Sequence, residues 1–213
     1  MLKIQKFTFN PFAENSYIVW DDETKESAIF DPGCYDDIEK KEIDSFITSN
    51  NLNINYLINT HCHLDHIFGI CYIKSKYKVI YYAPEEDMPL LKQASQQASM
   101  FGLEIKEICM PDHFIKDGLK LTLGNSEIEF LFTPGHTPGG YCAYFKEDNI
   151  CISGDVLFEG SIGRTDLPGG HYDQLLKSIR EKLFVLPDYT IVYPGHGDTT
   201  TIGNEKKSNP FFN

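Results

Sequence analysis

Thr60-His61-Cys62-His63-Leu64-Asp65-His66 is the stretch from which the rest of the chain can be read. It places three imidazoles and a carboxylate between positions 61 and 66. The preceding Tyr56-Leu57-Ile58-Asn59 is a short apolar run of the kind that forms a buried strand. The cluster therefore stands where a central strand ends and a loop begins. Imidazole is the commonest metal ligand, and carboxylates suit the same borderline ions. An extended loop would turn His61 and His63 one way and Asp65 and His66 another, which suits two adjacent ions better than one. The competing reading, a polar surface loop, leaves the matching ligands elsewhere in the chain without a role.

Upstream of the cluster, alternating segments read as strands at Leu2 to Phe9, Ser16 to Asp21 and Ser27 to Phe30. Asn10-Pro11-Phe12-Ala13-Glu14-Asn15 breaks the first, and Asp31-Pro32-Gly33 ends the third at a turn. Asp36 to Ser49 carries Ile38, Ile43, Phe46 and Ile47 in a helix-like stripe. Downstream, Ile67 to Lys76 reads as a helix opening at Gly69, Val79 to Tyr82 as a strand, and Pro84 to Met100 as a helix with Pro84 in its first turn. Leu103 to Asp117 carries little signal. Strands follow at Lys120 to Leu123, Glu127 to Phe132, Tyr141 to Phe145 and Ile150 to Ser153. A helix is expected over Tyr172 to Leu183 and a last strand over Thr190 to Tyr193. Strands at both ends of the chain, mixed with helices throughout, predict an α/β fold of two sheets sandwiched between helices. With no internal repeat, low-complexity segment or linker, residues 1–213 are expected to form a single domain.

The formal net charge of −12 argues against a nucleic-acid or anionic-membrane partner. No run of 18 apolar residues is present, so no membrane span is expected. Met1-Leu2-Lys3-Ile4-Gln5-Lys6-Phe7 lacks the apolar core of a signal peptide, and a cytoplasmic location is expected. Cys34, Cys62, Cys71, Cys109, Cys142 and Cys151 form no C-x-x-C pair, so free thiols are the expectation.

Four more sites repeat one grammar, in which a strand ends, a turn follows and a ligand type sits in the turn. Thr133-Pro134-Gly135-His136-Thr137 does so with His136, Ser153-Gly154-Asp155 with Asp155, Tyr193-Pro194-Gly195-His196-Gly197 with His196, and Asp31-Pro32-Gly33 with Asp31. Scaffolds place their chemistry in such loops. Any one of these residues taken alone is more often structural than a ligand. Five of the seven histidines fall in the pattern, and that joint placement carries the reading.

The set His61-x-His63-x-Asp65-His66, then His136, Asp155 and His196, resembles the metallo-β-lactamase superfamily, from the Asp31 turn to Gly197. The resemblance implies an αβ/βα sandwich of two mixed sheets with the site at their edge. It implies His61, His63 and His136 as ligands of one metal, Asp65, His66 and His196 as ligands of a second, and Asp155 as the bridge. The segments 133–139 and 157–170, with the tail from Thr200 to Phe211, resemble the short branch of glyoxalase II-like hydrolases. Full-length enzymes of that kind hold glutathione with a C-terminal helical domain. The sequence ends at Asn213 without one, and Gly140 stands where many carry a His, so weak glutathione recognition is expected.

The implied activity is thioester hydrolysis by metal-activated water, with S-D-lactoylglutathione-like small molecules as substrates. The cofactor is one or two transition ions per chain, zinc foremost, with iron or manganese admitted by the same ligands. Asp65 is the candidate catalytic residue, orienting the water as well as binding metal. Arg164 and Lys206 are candidate substrate contacts, although an Arg164–Asp166 pair and a solvated lysine are the plainer readings. His113 and His171 read as surface residues, and Cys62 as a packed small residue. One alternative is a persulfide dioxygenase with a single Fe(II) on His61, His136 and Asp155. Another is a metallo-hydrolase of a different ester or lactone, and a third is a metal-free binding module on the same fold.

Overall fold

The computed structural model describes residues 1–212. The alternating N-terminal segments form a meander in which β1 (Leu2–Phe9), β2 (Glu14–Asp21) and β3 (Glu26–Phe30) pair antiparallel. Three strands then add in parallel, β4 (Asn53–Ile58), β5 (Ile80–Pro84) and β6 (His113–Ile115). Parallel neighbours need crossovers. These are supplied by α1 (Asp37–Ser49), α2 (Ile70–Tyr77) and α3 (Met88–Met100). The Asp36 carboxylate caps α1 by accepting from the Ile38 and Glu39 amides, which fixes where that helix starts.

The second sheet has β7 (Lys120–Leu123), β8 (Ser126–Phe132), β9 (Tyr141–Phe145) and β10 (Ile150–Gly154) as an antiparallel run. A two-stranded hairpin, β11 (Leu157–Phe158) with β12 (Ser161–Ile162), and α4 (Tyr172–Ser178) follow. β13 (Ile191–Pro194) lies parallel to β10, β14 (Thr200–Thr201) completes the sheet, and α5 (Ile202–Ser208) closes the described chain. Each large sheet has six strands and is mixed.

Central strands are apolar throughout because each of their faces meets a different core. Ala28, Phe30 and Ile58 point between the sheets, against Ile128, Phe130, Phe145 and Ile152. Their neighbours Ile29 and Leu57 point the other way, onto Ile43 of α1, Ile73 of α2 and Leu91 of α3. Cys142, Cys151 and Val192 on the outer face of the second sheet meet Leu175 of α4 and Ile202 of α5. Period-two alternation thus sorts residues between cores, and each fully buried aliphatic side chain contributes about 1.5–3 kcal/mol. The layers are those of the expected αβ/βα sandwich.

Four local expectations need correction. Pro84 ends β5, and the next helix begins at Met88 with Pro89 in its first turn, because residues 85–87 form the turn that aims Asp87 inward. The helix from Tyr172 becomes a π turn over Ile179–Leu183, where the Phe184 amide reaches back to the Ile179 carbonyl at 2.8 Å. The signal-poor region before Asp117 contains β6. Cys71 and Cys109 form a disulfide across 38 residues, while Cys34, Cys62, Cys142 and Cys151 are free and buried. The segment after α3 returns along α2, where Lys74 Nζ donates to the Met110 carbonyl at 2.8 Å, and this brings the two Cα atoms to 5.3 Å. Among the described residues no helix is long and apolar enough to cross a membrane.

Strand direction creates the site. β3 and β4 are parallel with Phe30 opposite Ile58, so Asp31 and the 59–66 loop leave the first sheet at one edge. β8, β10 and β13 share a direction in the second sheet, so His136, Asp155 and His196 leave at one edge of it. Two backbone bonds join the edges, Asn15 N–H to the Gly195 carbonyl at 2.7 Å and Tyr141 N–H to the Thr60 carbonyl at 2.9 Å.

Candidate metal centre

Asp31 organises the loop that carries the histidine cluster. Its backbone is left-handed, with φ of 46°, and its side chain is buried. One carboxylate oxygen accepts from the Thr60 amide at 2.7 Å and the Asn59 side-chain amide at 3.2 Å. The other accepts from the Thr60 hydroxyl at 2.7 Å. Asn59 also donates to the His66 carbonyl at 2.8 Å, which draws Leu64–His66 into a single 3₁₀ turn rather than an extended loop. The two-way division of ligands survives that change. His61, His63 and His136 present ring nitrogens within 4.8 Å of one another, and so do the ligand atoms of Asp65, His66 and His196.

Hydrogen bonds behind the rings decide which nitrogen each offers. The Thr60 hydroxyl gives its only proton to Asp31, so at 3.1 Å it accepts from His61 Nδ1–H, and His61 Nε2 keeps its lone pair. His136 Nδ1 donates to the Arg164 carbonyl at 2.8 Å and His196 Nδ1 to the Ala13 carbonyl at 3.2 Å, which leaves both Nε2 atoms facing inward. His66 sets Nδ1 3.3 Å from Asp31 and so also presents Nε2. His63 is the exception, with Nδ1 2.8 Å from His136 Nε2. Such outer partners fix ring orientation and raise ligand basicity.

Asp155 lies between the two triads. One oxygen is 3.5 Å from His66 Nε2, and the other is 3.5 Å from His136 Nε2 and 3.6 Å from His196 Nε2. Glycine at 195 makes room for it, since a Cβ there would sit 2.2 Å from Asp155 Oδ1 and 2.7 Å from the His66 ring. Three atoms at this point are buried without a hydrogen-bond partner: His61 Nε2, His66 Nε2 and Asp155 Oδ1. An unsatisfied buried polar atom costs about 1–3 kcal/mol. Three of them aimed at one place, all lone-pair donors of the nitrogen and carboxylate type, fit one or two transition ions.

The electrostatics match that fit. Burial, reinforced by His66 and His136, pushes His61 well below the ordinary histidine range, and burial with His136 pushes His63 down to about 3. Burial disfavours the charged form of His66 as well, yet the Asp65 and Asp155 carboxylates outweigh it and hold its pKa well above the usual value. His196 is raised in the same way, with Asp65 and Asp155 again overcoming burial. Asp155 would be raised by burial, but His66, His136 and His196 hold it far below the carboxylate range. In the metal-free protein a proton on His66 therefore does what a metal cation would do, and the same carboxylates bias His196 in that direction. Ion uptake at pH 7 is expected to release about one proton, that of His66, since ligands must be deprotonated to bind. Calorimetric titration in buffers of different ionisation enthalpy reads this number, and zero proton release would show that the carboxylates are balanced otherwise.

His63, Asp65 and His196 are partly exposed, whereas His61, His66 and His136 are buried, so the cluster opens to solvent on the Asp65 side. All seven expected ligands are brought together. The two expected substrate contacts each pair with a neighbouring carboxylate. Arg164 is exposed and held by Asp166 through two bonds of 2.7 Å, while its backbone carbonyl does the work at His136. Lys206 is committed to Asp188 at 2.7 Å and to the Leu186 carbonyl at 3.3 Å. His171 caps α4 by accepting from the Gln174 amide, and His113 is exposed on β6. Cys62 is fully buried against the outer core, as its place between two ligands suggests. Sequence reasoning missed two buried carboxylates, Glu14 beside His66 and Asp87 beneath the ligand loops. Neither lies in a repeated pattern. The one available signal is the acidic run Glu85-Glu86-Asp87 just after a strand.

Comparison with known proteins agrees with this geometry. The family described as the metallo-beta-lactamase superfamily matches residues 9–196. The chain is 41% identical over 214 residues to the hydroxyacylglutathione hydrolase GloC of Haemophilus influenzae, covering all of this chain and 99% of that protein. Among solved structures, BLEG-1 B3 metallo-beta-lactamase superposes with a TM-score of 0.90 at 34% identity, covering 99% of each chain. TTHA1623, solved in a di-iron-bound form, gives 0.87 at 34% identity over 97% of this chain and 99% of its own.

Proposed function

The chain belongs to the metallo-β-lactamase superfamily, and from that premise we propose that it is a thioester hydrolase of glyoxalase II type, acting on S-D-lactoylglutathione-like substrates. The position of Asp155 carries this reading, because Oδ2 lies between His136 of one triad and His196 of the other while Oδ1 faces His66. A carboxylate so placed would serve two ions, and TTHA1623, 34% identical, is solved in a di-iron-bound form. The 41% likeness to a hydroxyacylglutathione hydrolase points the same way.

Ions at such a site lower the pKa of water from about 15.7 to about 7 and polarise a carbonyl oxygen. The residues supply the rest. Asp65 stands at the open side with Oδ2 3.1 Å from His196 Nε2, placed to orient the attacking water. His61, His136 and His66 hold their Nε2 atoms inward through their outer partners, so ion uptake would displace only the His66 proton and the His63–His136 hydrogen bond. A thiolate leaving group has a reference pKa of about 8.5 and departs without a dedicated acid. Arg164 and Lys206 are already paired, so uniform binding of an anionic thiol carrier is weak, which raises KM without lowering kcat.

The test is to purify the protein without added metal and count ions per chain. Then kcat and KM are measured on S-D-lactoylglutathione, other acyl-glutathiones and a non-glutathione thioester, beside a β-lactam and oxygen uptake with glutathione persulfide. Hydrolysis of several thioesters with weak KM and modest discrimination is expected. No thioester turnover with rapid oxygen uptake would replace this reading by a dioxygenase. Preference for the β-lactam would place the chain with BLEG-1.

A further inference from the structure

Asp87 is buried, is not one of the seven ligands, and lies at the N-terminal boundary of α3. An Asp in that position ordinarily caps its own helix, a contribution of about 1 kcal/mol. Asp87 makes no such bond. Its carboxylate turns away from α3 and joins two ligand loops. Oδ2 accepts from the Cys62 amide at 3.0 Å, in the peptide between His61 and His63. Oδ1 accepts from the Gly139 amide at 2.7 Å, three residues beyond His136. The two loops come from different sheets, and this one side chain ties both. The approach is close enough to demand glycine at 139, where a Cβ would meet Pro84 Cβ at 2.7 Å and Asp87 Oδ1 at 2.8 Å.

We propose that Asp87 is a positioning residue for the His61/His63/His136 subsite, holding its two loops at ligating distance before any ion arrives. The proposal rests on reading those three histidines as one metal subsite. A carboxylate suits the task because it offers one acceptor oxygen to each amide. Asparagine of the same shape offers one oxygen and turns an NH₂ group toward the other N–H, so one loop is released. Asp65, His66 and His196 have no bond to Asp87 and take their order from Asp31, Asn59 and Ala13. Loss of Asp87 should therefore act on one subsite of two.

The experiment is a cobalt(II) titration of Asp87→Asn followed by visible absorption, with His136→Ala identifying the step that belongs to the first subsite. Affinity at that step is expected to fall about 10–100-fold, the usual effect of losing an outer partner, with the Asp65/His66/His196 step unchanged. Gly139→Ala leaves the carboxylate in place but pushes the loop off it, and should weaken the same step. Equal weakening of both steps, or of neither in the Asn variant, would overturn the proposal. In the unsubstituted metal-free protein, the Cys62 and Gly139 amides are expected to be protected from hydrogen exchange, and fast exchange at either would overturn it even if the variants fold poorly. Failure of the unsubstituted protein to take up cobalt at all is a separate result, and it would remove the metal reading itself.

Discussion

Asp155→Ala is expected to lose at least about 10³-fold in kcat, because in the proposed hydrolase it would serve both ions and contribute several kcal/mol to the transition state. The protein should still fold. The backbone at this point is set by pairing of β10 with β13 and by the Gly195 amide donating to the Gly154 carbonyl at 2.9 Å, and neither uses the side chain. The loss should fall on the ions. With the carboxylate gone, His66, His136 and His196 lose the shared partner that lies 3.5–3.6 Å from their Nε2 atoms. Metal content should drop below that of the unsubstituted protein while circular dichroism stays unchanged. Near-normal turnover with full metal content would mean that Asp155 does not bridge.

The cluster of candidate ligands was legible in the sequence because its members are local in two senses. Four stand within His61–His66, and the other three each follow a strand with glycine beside them. A parallel arrangement of those strands is enough to bring the turns together, and period-two apolar runs announce the strands. What was not legible depends on distant contacts. The disulfide joins residues 38 apart that meet only because the segment after α3 doubles back. Asp87 looks like any acidic residue after a strand until the loops of both sheets close over it. Arg164 was weighed for its guanidinium, yet its backbone carbonyl is what touches a ligand, and backbone acceptors leave no trace in composition. Pro84 fitted a helix start by local preference and ends a strand instead, since β6 pairs alongside it.

Asp31→Ala is expected to cost about 3–5 kcal/mol of stability in the metal-free protein, the range for breaking a buried charged network. That corresponds to roughly 10 °C in Tm for a domain of this size. The substitution leaves the Thr60 amide, the Thr60 hydroxyl and the Asn59 side chain without the acceptor they share, all within the buried base of the loop. Its second effect is on tautomers. With Asp31 present, the Thr60 hydroxyl gives its proton away and must accept from His61 Nδ1–H. Without Asp31, that hydroxyl is free to donate to Nδ1, and the ring proton moves to Nε2, the atom that faces the cluster. His66 loses its Nδ1 partner at the same time. Both triads should then bind metal more weakly. Denaturant unfolding of the metal-free variant measures the first effect, and nitrogen chemical shifts of the His61 ring measure the second. A stability loss under about 1 kcal/mol, less than one broken buried hydrogen bond costs, would refute the network, and an unchanged His61 tautomer would refute the relay through Thr60.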